Sequence, residues 1–163
     1  MSTTNLQHFI LSQSKDVLAL LKTWIIIDTG STLNFFCNRR LLSGLRRCNG
    51  IRAISNGGDI EYNHKGPTTI FPAINAYFNA SSLANTLSFL DVRKYYHIQY
   101  DYKNEDSFLL HLDGSQVLHF KSISRGLYYI DTNINTFIKT TKLSRIILDV
   151  IILSHVVERH DIR

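Results

Sequence analysis

The apolar residues of this chain come in short runs separated by turn-forming residues, and this pattern constrains the fold most strongly. Short runs rich in β-branched and aromatic residues are typical of strands. Turn signals such as Asn49-Gly50, Asn56-Gly57-Gly58 and Asp113-Gly114 lie between the runs. The sequence predicts a mainly β protein, with strands at Trp24–Ile27, Ile51–Ser55, Ile60–Tyr62, Thr68–Phe71, His97–Tyr102, Phe108–Leu112, Val117–Lys121 and Leu127–Asp131.

Helices are predicted at three places. Leu6–Lys22 has an imperfect helical period, and in Ser82–Tyr95 either Ser81 or Ser82 can act as the N-cap. Leu143–Val157 fits either a helix or an exposed strand, and we predict a helix. The expected organisation is an N-terminal flanking segment over 1–22, a single domain over 23–131 and a C-terminal tail over 132–163. In the second helix Leu83, Leu87, Leu90 and Lys94 would fall on one face.

Positive charge is concentrated in one segment. Between Cys37 and Arg52 there are five arginines and no acid, whereas the rest of the chain has 13 basic and 13 acidic residues. Charge runs are usually solvated, so we expect an exposed strand-and-turn surface that is dispensable for catalysis. Contact with nucleic acid or another acidic surface is the alternative. The arginines are Arg39, Arg40, Arg46, Arg47 and Arg52.

Several classes of protein are disfavoured by what the sequence lacks. No apolar stretch approaches the roughly 18 to 20 residues of a membrane span. Cys37 and Cys48 are too few for a disulfide framework, and we expect structural thiols in a reducing cytoplasm. His155, Glu158 and His160 have the wrong order and spacing for a zinc-binding helix, so no metal is expected.

The segment Trp24–Thr32 carries the residues best suited to catalysis. Three isoleucines precede Asp28, and Thr29, Gly30, Ser31 and Thr32 follow it. The glycine would allow a turn where a side chain would clash, and nearby amide and hydroxyl groups could hydrogen-bond the carboxylate. Two such carboxyls side by side share one proton, so that one activates water while the other protonates the scissile carbonyl oxygen. The pattern predicts a catalytic acid, although Asp-Thr-Gly is also an ordinary turn.

Five segments between Trp24 and Asp131 strengthen this interpretation because they occur together and in order. They are Trp24–Thr32 with Leu33–Phe36 and Asn38, Ser55–Gly58, Ser82–Phe89, Tyr96–Asp101 and Arg125–Tyr129. Together they resemble the retropepsin-like aspartic proteases, and more narrowly the protease region of copia-type LTR retrotransposon polyproteins. The chain departs from that pattern at His64–Thr68, which replaces a proline-glycine-tyrosine-glycine-like element, and it has no match after Thr132.

The resemblance implies a retropepsin-like acid protease barrel with one short helix, a C-terminal β-hairpin extension and a terminal helix. It implies a substrate that is the element's own polyprotein, no cofactor, and a location in the cytoplasm or in virus-like particles. Its site residues are Asp28 as the catalytic acid, Thr29, Gly30, Ser31 and Thr32 as supports of the active-site loop, and Asn56, Gly57 and Gly58 as flap residues.

The number of Asp-Thr-Gly motifs in the chain indicates a homodimer. A dyad needs two acids, but the sequence has one Asp-Thr-Gly, and Asp131-Thr132-Asn133 lacks the glycine. A two-lobed single chain would need about twice this length, so we expect one Asp28 from each protomer. The alternative is an inactive relic or a β-rich interaction domain of a decayed retroelement, contacting RNA through the Arg39–Arg52 cluster.

Overall fold

The computed structural model describes residues 19–55, 58–112, 116–123, 127–133 and 156–158. Within them the chain forms one sheet of eleven strands, a 3-10 turn at Arg39–Leu41, a short helix at Phe89–Val92 and helical residues 19–21. The prediction of a mainly β protein is therefore confirmed. The strands are β1 Trp24–Asp28, β2 Phe35–Phe36, β3 Arg46–Ser55, β4 Gly58–Pro67, β5 Asn75–Phe78, β6 Asn85–Ser88, β7 His97–Asp101, β8 Ser107–His111, β9 Val117–Ile123, β10 Leu127–Asp131 and β11 Val156–Glu158.

The strand β1, predicted at Trp24–Ile27, lies inside the sheet. The strand order is β11-β3-β4-β5-β2-β6-β1-β10-β9-β8-β7. β1 pairs in parallel with β6 and antiparallel with β10, and its first four residues are at most 4% exposed. Because both of its edges are paired, the end of β1 is held in a fixed position.

The two faces of β1 contact different apolar clusters. Ile25 and Ile27 belong to the main core, whereas Trp24 and Ile26 pack in a second cluster on the other face, where the Trp24 ring stacks on Tyr129. Successive side chains of a strand point to opposite faces. An uninterrupted apolar run is what a strand covered on both faces requires.

The strands β7 to β10 form an antiparallel meander that continues the same sheet. β8 and β9 pair from His111 and Val117 onwards, which confirms the predicted hairpin, although Asp113 and Gly114 lie outside the described residues. β10 then pairs with β1. The predicted C-terminal extension is thus larger than one hairpin, and it covers an edge of the central strand.

The predicted helix over Ser82–Tyr95 is wrong in its first half. Residues Asn85–Ser88 form β6, which pairs with β1 and β2, and only Phe89–Val92 is an α-helix. The N-cap is Ser88, whose hydroxyl accepts from the Asp91 amide; Ser82 is buried instead, against the Tyr62 hydroxyl. Pairing with two distant strands overrides the local helical pattern.

Two further local predictions are wrong. Asn49-Gly50 is not a turn but lies inside β3, where the pairing with β4 shifts register between Arg47 and Ile51. Thr68–Phe71 is a bend rather than a strand, closed by hydrogen bonds between the Thr68 hydroxyl and the backbone of Phe71. The predicted Ile60–Tyr62 strand is confirmed and is part of the longer β4, whereas β5 has no counterpart among the predicted strands.

The predicted terminal helices are described only in part. For Leu6–Lys22, residues 19–21 are helical and residues 1–18 lie outside the described residues. For Leu143–Val157, the helix is wrong at its end, because Val156–Glu158 forms β11 and pairs with Ala53–Ser55 of β3. The remainder of that segment lies outside the described residues. No described helix is long and apolar enough to cross a membrane.

Candidate active site

Asp28 is the last residue of β1 and lies directly opposite Ser88 of the parallel strand β6. The three isoleucines before it are at most 3% exposed, whereas Asp28 is half-buried and Thr29 and Gly30 are exposed. The strand thus passes from the core to the surface at the carboxylate. A carboxyl in that position is accessible to a substrate and anchored by a rigid element.

The amide of Gly30 holds the carboxylate. It donates to Asp28 Oδ1 at 2.8 Å, the hydrogen bond that the structure records for this side chain among the described residues. The predicted hydroxyl donors are wrong, because Ser31 donates to the Leu33 carbonyl at 2.7 Å and no hydrogen bond joins Thr29 to Asp28. A Cβ on Gly30 would lie 3.4 Å from Asp28 Oδ1, so a side chain there would contact the carboxylate without a severe clash.

A buried polar network anchors the loop that follows Asp28. Asn34, only 3% exposed, accepts from the Ser88 amide at 2.8 Å and donates to Asp91 Oδ2 at 2.6 Å and to the Asn75 carbonyl at 3.0 Å. The Ser88 hydroxyl donates to the Ser31 carbonyl at 2.6 Å. The network ties the loop to β6, the strand whose end lies beside Asp28.

A second buried amide joins the beginning of β1 to β6. Asn85 is fully buried; its Oδ1 accepts from the amides of Cys37 and Asn38, and its Nδ2 donates to the carbonyls of Lys22 and Trp24. All four hydrogen-bonding positions of the amide are therefore used. Sequence reasoning did not identify Asn34 or Asn85, and the one available signal was a lone asparagine beside an apolar run.

The other candidate acid lies at the wrong end of β1. Asp131 is opposite Trp24 in the antiparallel pair, four residues from Asp28. At about 3.3 Å per residue, the two positions are separated by roughly 13 Å along the sheet. Asp131 therefore cannot complete a dyad with Asp28 of the same protomer.

Of the candidate flap residues, Gly58 is described and lies at the beginning of β4. The ten-residue strands β3 and β4 form a hairpin that pairs from Ser55 and Gly58, and Asn56 and Gly57 lie outside the described residues. The divergent segment His64–Thr68 lies at the other end of β4, which pairs with β5. The departure from the family pattern is therefore at the base of the hairpin.

Cys37 is not placed as a nucleophile. Cys37 is buried, and burial raises the pKa of its thiol to about 11, which favours the unreactive thiol form. Cys48 is half-buried in β3. Among the described residues, no group of three or more His, Cys, Asp or Glu side chains is placed to hold a metal ion.

Comparisons with models of protein families, with curated proteins and with solved structures find no match to this chain.

Proposed function

We propose that the chain is an aspartic endopeptidase of the retropepsin type that is active as a homodimer. The observation that carries the proposal is the position of Asp28: an acid at the end of a buried internal strand, half-exposed, with the Gly30 amide on its carboxylate. The resemblance of Trp24–Thr32 to the retropepsin active site supports the same reaction. The proposed substrate is a polypeptide, in the first place the element's own polyprotein.

The proposed mechanism uses two Asp28 carboxyls that share one proton. The ionised carboxylate removes a proton from a water molecule, which attacks the peptide carbonyl, while the protonated carboxyl donates to the carbonyl oxygen. Collapse of the tetrahedral intermediate breaks the C–N bond, and the leaving amine takes a proton. Cleavage should therefore show a bell-shaped pH dependence, which reports the pair rather than either carboxyl.

The second carboxyl is proposed to come from a second copy of the chain. Asp131 lies about 13 Å along the sheet from Asp28, and the sequence contains no other Asp-Thr-Gly. A two-fold axis beside Asp28 would bring the two identical residues together. In this arrangement the β3–β4 hairpin of each protomer is the flap, and the sheet is a retropepsin-like barrel.

The test compares Asp28 with Asp131, two aspartates that are each followed by a threonine. The full chain is incubated with a library of proteome-derived peptides, and cleavage products are identified by mass spectrometry. We expect Asp28→Asn to abolish cleavage, because an amide cannot accept the proton of water, and Asp131→Asn to retain it. A statine-type transition-state mimic should inhibit the wild type. Wild-type rates in Asp28→Asn, or loss of cleavage in Asp131→Asn alone, would overturn the assignment.

Dilution tests the shared dyad. Activity per molecule should fall when the protein is diluted below its dimer dissociation constant, measured in parallel by sedimentation. Constant specific activity in a monomeric regime would refute the two-chain site. A chain that forms dimers but cleaves no peptide of the library would instead be the non-catalytic interaction domain.

A further inference from the structure

Five basic side chains gather at the base of the β3–β4 hairpin, and we call them the basic surface. Its members are Arg39, Arg40, Arg46, Arg47 and Lys65. The four arginines are exposed and Lys65 is half-buried, with its ammonium 4.5 Å from the centre of the Tyr77 ring. Arg52, farther along β3, is also exposed, so the predicted exposure of the arginine segment is confirmed.

Close backbone contacts bring the two parts of the basic surface together. The Ser43 amide donates to the Pro67 carbonyl at 2.9 Å, and the Thr69 amide donates to the Leu41 carbonyl at 2.9 Å. Gly66 permits this approach, because a Cβ on it would lie 2.6 Å from the Ser43 carbonyl oxygen. The 3-10 turn that carries Arg39 and Arg40 is thus fixed against the end of β4.

The charges of the basic surface are not neutralised within the described part of the chain. Arg46 lies directly opposite Lys65, and Arg47 lies opposite His64. Like charges in cross-strand positions, such as those of Arg46 and Lys65, repel each other. Among the described residues, the ion pair recorded for this arginine segment is Arg52 with Asp59, which is long at 3.9 Å and exposed. The unpaired charges fit an external polyanion.

We infer that the basic surface binds the phosphate backbone of single-stranded nucleic acid. Arginine supplies most of the charge, and its planar guanidinium matches a phosphate with two parallel hydrogen bonds. Arg46 and Arg47 are neighbours on a strand, so their side chains point to opposite faces. β11 pairs only with Ala53–Ser55, which leaves this end of β3 without a described partner on that side. A flexible strand can wrap such an edge.

The surroundings of the basic surface disfavour the other polyanions. Binding to an anionic membrane would be strengthened by exposed large apolar side chains, and a protein interface usually has an aromatic or apolar centre. Among the described residues, the exposed large apolar side chains are Leu90, Tyr95, Tyr100 and Tyr102, none of which belongs to the hairpin. Ser43, Gly44, Asn49 and Gly50, which flank the arginines, are exposed and polar or without a side chain.

The test measures the affinity of the full chain for a fluorescein-labelled, mixed-sequence, 20-nucleotide single-stranded RNA by anisotropy. If five phosphates are contacted, the logarithm of the association constant should fall with the logarithm of salt concentration with a slope of about −3.5. The Arg46→Gln/Arg47→Gln variant should make the salt dependence shallower, with a slope of about −2.1, and weaken binding about 25-fold at 0.1 M salt. Arg39→Gln/Arg40→Gln should act similarly.

The matched control is Lys103→Gln/Lys121→Gln, which removes the same charge from exposed positions outside the basic surface. We expect it to bind within about twofold of the wild type, since exposed charges far from a contact are screened. Asp28→Asn should bind like the wild type, which separates this inference from the protease proposal. The inference would be overturned by no binding in 50 mM salt, an equal loss in the control, or tighter binding to duplex RNA, polyglutamate or anionic vesicles.

Discussion

Removal of the Asn34 side chain tests whether the buried polar network holds the Asp28 loop. Asn34→Ala deletes three hydrogen bonds, to the Ser88 amide, the Asn75 carbonyl and the Asp91 carboxylate. The backbone of the fully buried Ser88 then loses the acceptor that Asn34 supplies. The hydrogen bond from the Ser88 hydroxyl to the Ser31 carbonyl remains, so the loop keeps one link to β6 and loses those that Asn34 supplies.

The expected cost follows from the burial of the partners. An unsatisfied buried donor costs about 1 to 3 kcal/mol, a hydrogen bond to a charged group is worth about 1.5 to 3 kcal/mol, and a neutral one about 1 kcal/mol. The Asp91 carboxylate is partly exposed, which lowers its share. We expect Asn34→Ala to lower the free energy of unfolding by about 3 to 5 kcal/mol, a large part of what a single domain has.

The assay is urea unfolding followed by the fluorescence of Trp24, the chain's single tryptophan, which is buried against Tyr129. With a slope of about 2 kcal/mol per molar urea, the midpoint should fall by about 1.5 to 2.5 M. The matched control is Asn49→Ala at an exposed position, which should stay within about 0.5 kcal/mol. If the two variants lose the same stability, the network does not support the loop.

A second substitution at position 34 replaces the hydrogen bond to Asp91 with repulsion between two carboxyl groups. Asn34→Asp places a carboxyl where an amide nitrogen now lies 2.6 Å from Asp91 Oδ2. Burial and the facing carboxylate both raise the pKa of the new carboxyl above the value of about 3.9 in the unfolded chain. The loss of stability relative to the wild type is therefore smallest below about pH 4 and grows as pH rises. A deficit that did not grow between pH 4 and pH 7 would contradict this geometry.

Two other predictions concern single groups. Arg46→Glu should raise the free energy of unfolding by about 0.5 kcal/mol, because it replaces repulsion with attraction opposite Lys65; no change in the urea midpoint would mean that the two charges do not interact. The raised pKa of Cys37, about 11, means that the unfolded thiol ionises first, so stability should fall as pH rises from about 9 to 11, by up to about 3 kcal/mol. Cys37→Ala should show a smaller fall over that range, and an identical fall would assign the effect to other groups.

The strands that the sequence predicts best are those whose signals are local. Trp24–Asp28 and Leu127–Asp131 were found almost to the residue, because their apolar runs end at turn residues. The Phe108–Leu112 and Val117–Lys121 strands flank an Asp-Gly signal and pair as expected. In such segments the side-chain pattern and the turn chemistry indicate the same structure.

The predictions that failed depend on partners distant in sequence. The helix over Ser82–Tyr95 was predicted from a serine cap and from leucines at helical spacing, but Asn85–Ser88 within it pairs with β1, about sixty residues earlier. A serine does cap a helix in this segment, but the cap is Ser88 rather than Ser81 or Ser82, and the helix is one turn long. Asn49-Gly50 forms no turn, because β3 continues its pairing with β4 beyond it.

The sequence predicts the acid of the candidate site, but it does not predict the buried side chains that hold the surrounding loop. Asp28 has a sequence signature, whereas the roles of Asn34 and Asn85 arise from contacts across the fold with residues such as Asp91 and Lys22. The expected hydroxyl donors failed because the Ser31 hydroxyl turns to the Leu33 carbonyl. A motif specifies which side chain reacts, but the choice between competing hydrogen-bond partners depends on the folded backbone.

Strand direction makes the argument for a second protomer stronger than the sequence alone allows. β1 and β10 are antiparallel, so Asp28 and Asp131 lie at opposite ends of their pair. β6 is parallel to β1, and the acid that follows it, Asp91, is already engaged by Asn34 and Lys94 at 2.6 and 3.0 Å. Asp91 therefore supports the loop and is not free to share a proton with Asp28. Neither Asp131 nor Asp91 of the same chain is placed to pair with Asp28, so a dyad, as proposed above, would take its second carboxyl from Asp28 of another chain, and we then expect cleavage to depend on protein concentration.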